Sequence, residues 1–229
     1  TLGNPRAHHA SADTVEQSGP LRCVIQVKGR FRPAPDAHGF QTRIQAYAGT
    51  GLLRIQHTVL GLDAKKPLEL AGWGLRVPAG AAKAFCGIDG AARALALAQG
   101  EGLFQDSVFE WTWGPLSPED FERLAKKPAP LKVGEAPGWR YRMRYAAGAK
   151  AAVEGKADGW LSTDAGAGGL AVCVREFWQQ CPKEFQGGAN EFTVWLHSPR
   201  GKPFIAKAGT AKTNEVLFDF AAAGRDPET

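Results

Sequence analysis

Residues 40–60 read FQTRIQAYAGTGLLRIQHTVL. Two apolar-polar stretches, Phe40–Ala48 and Leu52–Leu60, flank Gly49-Thr50-Gly51. In an extended chain, side chains alternate between faces, so each stretch offers one face to a core. A short glycine-containing linker between them predicts a β-hairpin. In the second strand Leu53, Ile55, His57 and Val59 share a face, which suits a hydrogen-bonded core histidine better than a metal ligand. Upstream, Leu21, Cys23, Ile25 and Val27 alternate with Arg22, Gln26 and Lys28, predicting a strand before the hairpin.

The same grammar recurs downstream. Strands are expected over Leu68–Val77, Phe104–Trp113, Trp139–Tyr145, Leu170–Trp178, Glu191–His197 and Glu215–Phe220, and residues 91–98 are ambiguous between strand and helix. One helix start stands out, Ser117-Pro118-Glu119-Asp120, with serine as N-cap, proline at the first helical position and acids in the first turn. It predicts a short helix ending at Lys126-Lys127-Pro128. Scarce helix and recurring strands with glycine punctuation predict an all-β fold, a large antiparallel β-sandwich with one short helix. The expected organisation is an irregular segment over 1–14, a sandwich over 15–222 and a tail over 223–229.

Composition narrows the function. The chain has 229 residues, 44% of them apolar and 22% charged, and a net charge of +5. These values fit a globular protein and exclude collagen, coiled coil and wholesale disorder. No apolar run approaches the ~20 residues of a membrane-spanning helix. The basic residues are scattered, so neither nucleic acid nor a membrane is an expected partner. Thr1 is not an initiator methionine, which predicts a processed chain, a domain or an internal fragment. The cysteines, Cys23, Cys86, Cys173 and Cys181, form no CxxC pair, and Cys23 and Cys173 read as free core thiols, with one disulfide left open. No histidine spacing calls for zinc and no cofactor is expected; calcium, whose ligands come from scattered loops, stays open.

Two segments are chemically dense. In Val174-Arg175-Glu176-Phe177-Trp178-Gln179-Gln180-Cys181-Pro182-Lys183-Glu184, a continuing strand would place Glu176 and Trp178 on the face of Val172 and Val174. A buried glutamate needs a cation partner or an opening to solvent. The segment is therefore either a buried ion pair under a tryptophan lid or a sugar-facing cluster. In the second case Trp178 stacks on a ring and Arg175 or Lys183 reaches a carboxylate. The other segment, Gly209-Thr210-Ala211-Lys212-Thr213-Asn214-Glu215, reads as a loop delivering polar groups to a strand. Lys212 is either an exposed turn residue or a buried cation that neutralises an acidic substrate. Arg140, Arg142 and Arg144 alternate along another strand, as a solvated face or a polyanion contact. No GxSxG, HExxH, Walker or GxGxxG signature occurs, and no residue receives a catalytic role.

Taken in order, Ser18-Gly19-Pro20-Leu21-Arg22, Arg43–Gly49 with Leu53–Thr58, Gly159-Trp160-Leu161, Arg175–Gln179 with Pro182-Lys183, and Gly209–Glu215 resemble the central β-sandwich of the exo-rhamnogalacturonan-lyase-like family, which includes YetA-like proteins. The resemblance spans about residues 15–222. It implies a galactose-mutarotase-like supersandwich inside a larger parent, with an N-terminal β-barrel and a C-terminal α/α-barrel. It also implies a secreted or periplasmic enzyme acting on acidic polysaccharide or oligosaccharide. Relatives of that type cleave uronate-containing pectic chains by β-elimination in a cleft between barrel and sandwich. On this reading Arg175, Glu176, Trp178, Lys183, Lys212 and Asn214 contribute to substrate binding, and the isolated domain is inactive. The family loop usually reads AKTHE. Asn214 stands where it has histidine and cannot exchange a proton near neutral pH. The rival readings are a non-catalytic carbohydrate-binding or scaffolding sandwich, with Trp160, Trp178 and Trp195 as stacking candidates, and the sandwich of a glycoside hydrolase.

Overall fold

The computed structural model describes residues 8–31, 38–62, 67–78, 83–97, 101–111, 139–148, 153–163, 169–188 and 191–220. Its strands are β1 (His8–Ser18), β2 (Arg22–Phe31), β3 (His38–Tyr47), β4 (Leu52–Gly61), β5 (Leu68–Leu70), β6 (Trp73–Val77), β7 (Lys83–Ile88), β8 (Ala91–Ala96) and β9 (Gly102–Trp111). The set continues with β10 (Trp139–Ala147), β11 (Val153–Glu154), β12 (Ala157–Thr163), β13 (Leu170–Val174), β14 (Lys183–Gly187), β15 (Phe192–His197), β16 (Phe204–Ala206) and β17 (Ala211–Asp219). The fold is an all-β sandwich. A nine-stranded sheet runs β1-β2-β3-β4-β17-β13-β12-β7-β8, and a six-stranded sheet runs β11-β10-β9-β14-β15-β6. β5 and β16 pair separately.

The hairpin at 40–60 forms as its sequence predicts. Ile44 faces Ile55 and Ala46 faces Leu53. Thr50 closes the turn, donating its hydroxyl to the Tyr47 carbonyl at 3.0 Å and accepting the Leu52 N–H at 3.2 Å. The chain returns to this hairpin only at its far end, where β17 pairs along all of β4. That long-range pairing carries the core inward from the hairpin. Val59, Val216 and Phe218 from the large sheet share one apolar cluster with Phe185, Val194 and Leu196 from the small one. Burying such side chains contributes roughly 1.5–3 kcal/mol each. His57 is satisfied as expected, with Nδ1 2.8 Å from the Thr42 hydroxyl and its ring stacked on Phe40.

Several expectations need correction. The segment read as irregular over 1–14 contains the start of β1, which pairs with β2 from His8 onward. β1 lies at the sheet edge and is exposed on both faces from Asp13 to Ser18, so it needs no apolar period. Leu68–Val77 is two strands: Leu68–Leu70 pairs with β16 and Trp73–Val77 joins the six-stranded sheet. The ambiguous 91–98 region gives β8, closed onto β7 through Asp89-Gly90 at φ 51° and 76°. Consecutive positive φ values mark the tight hairpin turn that Asp-Gly favours. The buried thiol is Cys86, whereas Cys173 is exposed and Cys23 half-buried, and all four cysteines are free. The helix expected at 117–127 lies outside the described residues, as do the side chains of Arg140 and Arg142. Arg144 also falls there as a side chain, although its backbone pairs with Asp106 and Glu154.

The strand expected through Trp178 ends at Val174. Residues 175–180 turn back, with the Gln180 N–H donated to the Glu176 carbonyl at 2.9 Å and Glu176 at φ 53°. Phe177 plunges into the core and stacks on Phe185 at 4.9 Å. The chain then re-enters through a cis Cys181-Pro182 peptide into β14.

Candidate functional site

The turn at 175–180 and the start of β17 lie side by side because β13 pairs with β17. The Arg175 N–H continues that ladder by donating to the Glu215 carbonyl at 3.0 Å. Alternation along β17 then sorts the polar groups. Thr213, Glu215 and Leu217 face outward, while Lys212, Asn214, Val216 and Phe218 face the six-stranded sheet. The sequence-derived site residues therefore fall into two sets.

Arg175 and Glu176 belong to the outer set and are exposed. The Arg175 guanidinium lies 3.8 Å from Glu176 Oε1 and 3.9 Å from Glu215 Oε2. Glu215 is itself held by Arg54 Nη2 at 2.7 Å and by Gln56 Nε2 at 3.2 Å. The Arg54 hydrogen bond outweighs partial desolvation and lowers the Glu215 carboxyl below its ordinary range. Trp178 is half-buried, with the Lys156 ammonium 4.4 Å from its ring centre. Glu176 does not continue the Val172–Val174 face, so no buried carboxylate arises there. It accepts a hydrogen bond from Gln180 Nε2 at the surface. Trp195, half-buried, donates its indole N–H to Gln186 at 2.9 Å.

Lys183, Lys212 and Asn214 form the inner set. Lys183 is fully buried, and its Nζ donates to the Arg175 carbonyl at 3.3 Å. Lys212 lies half-buried over aromatic rings, 5.4 Å from the centre of Trp73 and 5.1 Å from that of Phe204. Asn214 is 2% exposed, and among the described residues neither its Oδ1 nor its Nδ2 has a hydrogen-bond partner. Burial pushes the Lys183 ammonium down to about 7, helped by the Lys212 charge, and burial also lowers Lys212. The structure thus puts Lys183 within reach of the Lys212 charge, with Asn214 on the Lys212 face of β17, and leaves the Arg175 and Glu176 side chains exposed.

Three participants were not legible in the sequence. His197 is buried, stacks on Trp73 at 4.7 Å and lies 2.9 Å from the Lys202 carbonyl through Nε2. A carbonyl accepts, so Nε2 carries the proton and Nδ1 keeps a bare lone pair, without a partner. Trp73 brings an indole N–H that is likewise unpartnered. Glu184 is the buried carboxylate of this region, bound by Ser198 Oγ at 2.6 Å and Arg200 Nη1 at 3.0 Å. Period-two alternation placed neither His197 nor Trp73, because β15 and β6 are brought to the lysines only by the fold, and it puts Glu184 on the strand face opposite Lys183.

His197 supplies a pH test. Burial holds its pKa down to about 4, against 6.5 ordinarily. Between those values the unfolded chain binds more protons, so stability falls as pH drops through the window. The expected loss is about 3 kcal/mol, read as the difference between wild type and His197→Gln in urea melts across that range. A flat difference would contradict a neutral buried imidazole.

Among the described residues, no group of His, Cys, Asp or Glu could hold a metal ion. The sequence profile of the PcRGLX-like protein central beta sandwich domain matches residues 7–86 and 139–216. The chain belongs to that family. It is therefore the central β-sandwich domain of a PcRGLX-like protein. Both matched stretches contribute to the inner set of this PcRGLX-like sandwich: Trp73 lies in the first, and Lys183, Lys212 and Asn214 in the second. No protein of curated function matches the chain in sequence. Among solved structures, it is similar to the GH36 α-galactosidase AgaA from Geobacillus stearothermophilus, at 10% identity and TM-score 0.46, over 95% of this chain and 26% of that one. It is also similar to the galactosidase domain of the α-galactosidase-sucrose kinase AgaSK, at 7% identity and TM-score 0.41, over 93% and 26%. A galactose mutarotase related enzyme from Lactobacillus acidophilus aligns at 11% identity and TM-score 0.35, over 92% and 71%. The PcRGLX-like sandwich thus spans about a quarter of each galactosidase chain.

Proposed function

We propose that this domain forms one wall of the substrate cleft of a polysaccharide lyase, acting by β-elimination on uronate-containing pectic chains such as rhamnogalacturonan. The opposite wall is a C-terminal α/α-barrel of the same parent chain, which also carries an N-terminal β-barrel and works outside the cytoplasm, secreted or periplasmic. The observation that carries this reading, beside family membership, is the turn at 175–180. It presents an exposed cation, Arg175, close to a half-buried indole, Trp178, whose ring already carries the Lys156 ammonium. An indole face suits the C–H side of a sugar ring, and a guanidinium matches a uronate carboxylate.

Elimination needs three things: neutralisation of the carboxylate, a base at uronate C5 and an acid at the departing oxygen. The exposed edge of this domain is suited to the first. Asn214 has no proton to give or take near neutral pH, which favours binding rather than proton transfer by this wall. In the parent chain, Arg175→Ala and Trp178→Ala are each expected to lower kcat/KM for rhamnogalacturonan oligosaccharides roughly 10- to 100-fold. The readout is ultraviolet absorbance of the 4,5-unsaturated product. Unchanged values in both variants would remove the assignment. Reducing ends without the chromophore would point to a glycoside hydrolase. Saturable tryptophan quenching without product would point to a binding module.

A further inference from the structure

The sandwich end contains more hydrogen-bond donors than it can use. Among the described residues the fully buried Lys183 has one acceptor, the Arg175 carbonyl at 3.3 Å, for three N–H bonds. The Arg175 N–H donates to the Glu215 carbonyl, so the residue whose carbonyl holds this ammonium is hydrogen-bonded to the β17 neighbour of Asn214. Asn214 and Lys212 are two apart on one face of β17, about 6.6–7 Å along the strand. Trp73, under the Lys212 ammonium, adds an unpartnered buried N–H. Each unsatisfied buried polar group is destabilising and needs an explanation.

Nearby carboxylates do not answer this demand. Glu184 is bound by Arg200 and Ser198, and Glu215 by Arg54 and Gln56. Glu176 sits at the surface with Gln180 and Arg175. Among the described residues neither lysine has an ion pair. The two lysine charges therefore repel each other, Glu176 attracts Lys183 from the surface without closing an ion pair, and the Asn214 carboxamide on the Lys212 face of β17 stays idle among the described residues. His197 supplies none, since its protonated Nε2 is turned to the Lys202 carbonyl.

We propose that Lys183, Lys212 and Asn214 form an inter-sheet binding site for a small oxyanion. Three or four oxygens carrying one or two negative charges would accept the spare N–H bonds and neutralise the paired cations. The oxygens come either from a free inorganic ion or from the carboxylate of a uronate residue. The site is separate from the outer edge assigned to the glycan above, so either reading can fail without the other.

The test uses the 229-residue protein in chloride buffer at matched ionic strength. Sodium sulfate, sodium phosphate and sodium galacturonate are added separately while thermal unfolding is followed. A saturable rise in Tm is expected, about 5–10 °C at a hundred-fold excess over Kd. Lys183→Met and Lys212→Met should each abolish it, and Lys202→Met should keep it. Sulfate also raises Tm generally by exclusion from the protein surface. An equal rise in all variants is that general effect and overturns the proposal. A response to all three salts identifies a general oxyanion site; a response to galacturonate alone identifies a uronate site. The second readout is the Asn214 side-chain amide in 1H–15N spectra. It should shift saturably with the same midpoint, and an unmoved signal at saturation also overturns the site.

Discussion

Lys183→Met is expected to stabilise the protein by about 3–5 kcal/mol at pH 6 and by less than about 1 kcal/mol at pH 10.5, in buffer free of phosphate and sulfate. The reason is the proton balance of one buried amine. Unfolded, the lysine takes up its proton near its ordinary 10.5; folded, burial and the Lys212 charge bring it down to about 7. Between those values the unfolded chain binds the extra proton, so wild-type stability rises with pH across the window. Below about 7 both states are charged and the whole penalty is present. Methionine has nearly the same length, no charge and the flexibility to fill the space. The penalty should then vanish, and with it the rise between pH 7 and 10.5. Urea midpoints of the two proteins at pH 6, 8 and 10.5 measure this directly. Equal stability at pH 6 would mean that the ammonium is solvated or paired, and the reading of the inner set would fall with it. A bound oxyanion makes its own distinct mark, since adding sulfate should narrow the pH 6 gap by stabilising wild type more than Lys183→Met.

Such a costly residue is hard to see in a sequence, and the contrast with the hairpin explains why. Phe40–Leu60 carries its whole instruction locally: two alternating stretches, a glycine linker and a register fixed by the turn. The Asp89-Gly90 turn was equally local and sits in the sequence as a plain hairpin signal between Ile88 and Ala91, where the alanine-rich run beyond it obscured the strand. β1 carried no apolar period because an edge strand exposed on both faces needs none. At Val174 the alternation reads straight through into Glu176 and Trp178, and only the packing of Phe177 onto Phe185 reveals that the chain turns there. Lys183 and Lys212 each looked like an ordinary cation near a turn. Their proximity depends on β17 returning to β4, more than 150 residues away, and on Lys183 reaching the Lys212 charge from a strand of the other sheet. Neither distance is written in any window of sequence. The acidic-sugar reading grouped Arg175 with both lysines around Trp178, while the structure leaves Arg175 exposed outside the large sheet and buries Lys183 of the small sheet and half-buries Lys212 of the large one between the two.

The turn that separates the two sets depends on one glycine, and Gly159→Ala is expected to destabilise the protein by roughly 3–5 kcal/mol. Gly159 lies in β12 within a break in its ladder to β7, at φ +90°, a conformation that side chains rarely adopt. That strain alone is worth about 1–3 kcal/mol. An added Cβ would also stand 2.5 Å from Phe177 Cβ and 2.7 Å from the Val174 carbonyl oxygen. Neither neighbour is the free end of a flexible side chain, so the backbone on both sides of Arg175-Glu176 has to move, adding about 1–3 kcal/mol of overpacking. Gly209→Ala provides the control. It has a similar φ of +78° with nothing within 4 Å of the added carbon, so it reads the strain without the clash. The excess loss in Gly159→Ala over Gly209→Ala therefore measures how tightly the turn is clamped. An excess near zero would show that Phe177 does not hold the turn down. The second consequence falls on function: a displaced turn carries Arg175 and Trp178 with it, so Gly159→Ala in the parent chain should raise KM for acidic oligosaccharides while Gly209→Ala leaves it unchanged.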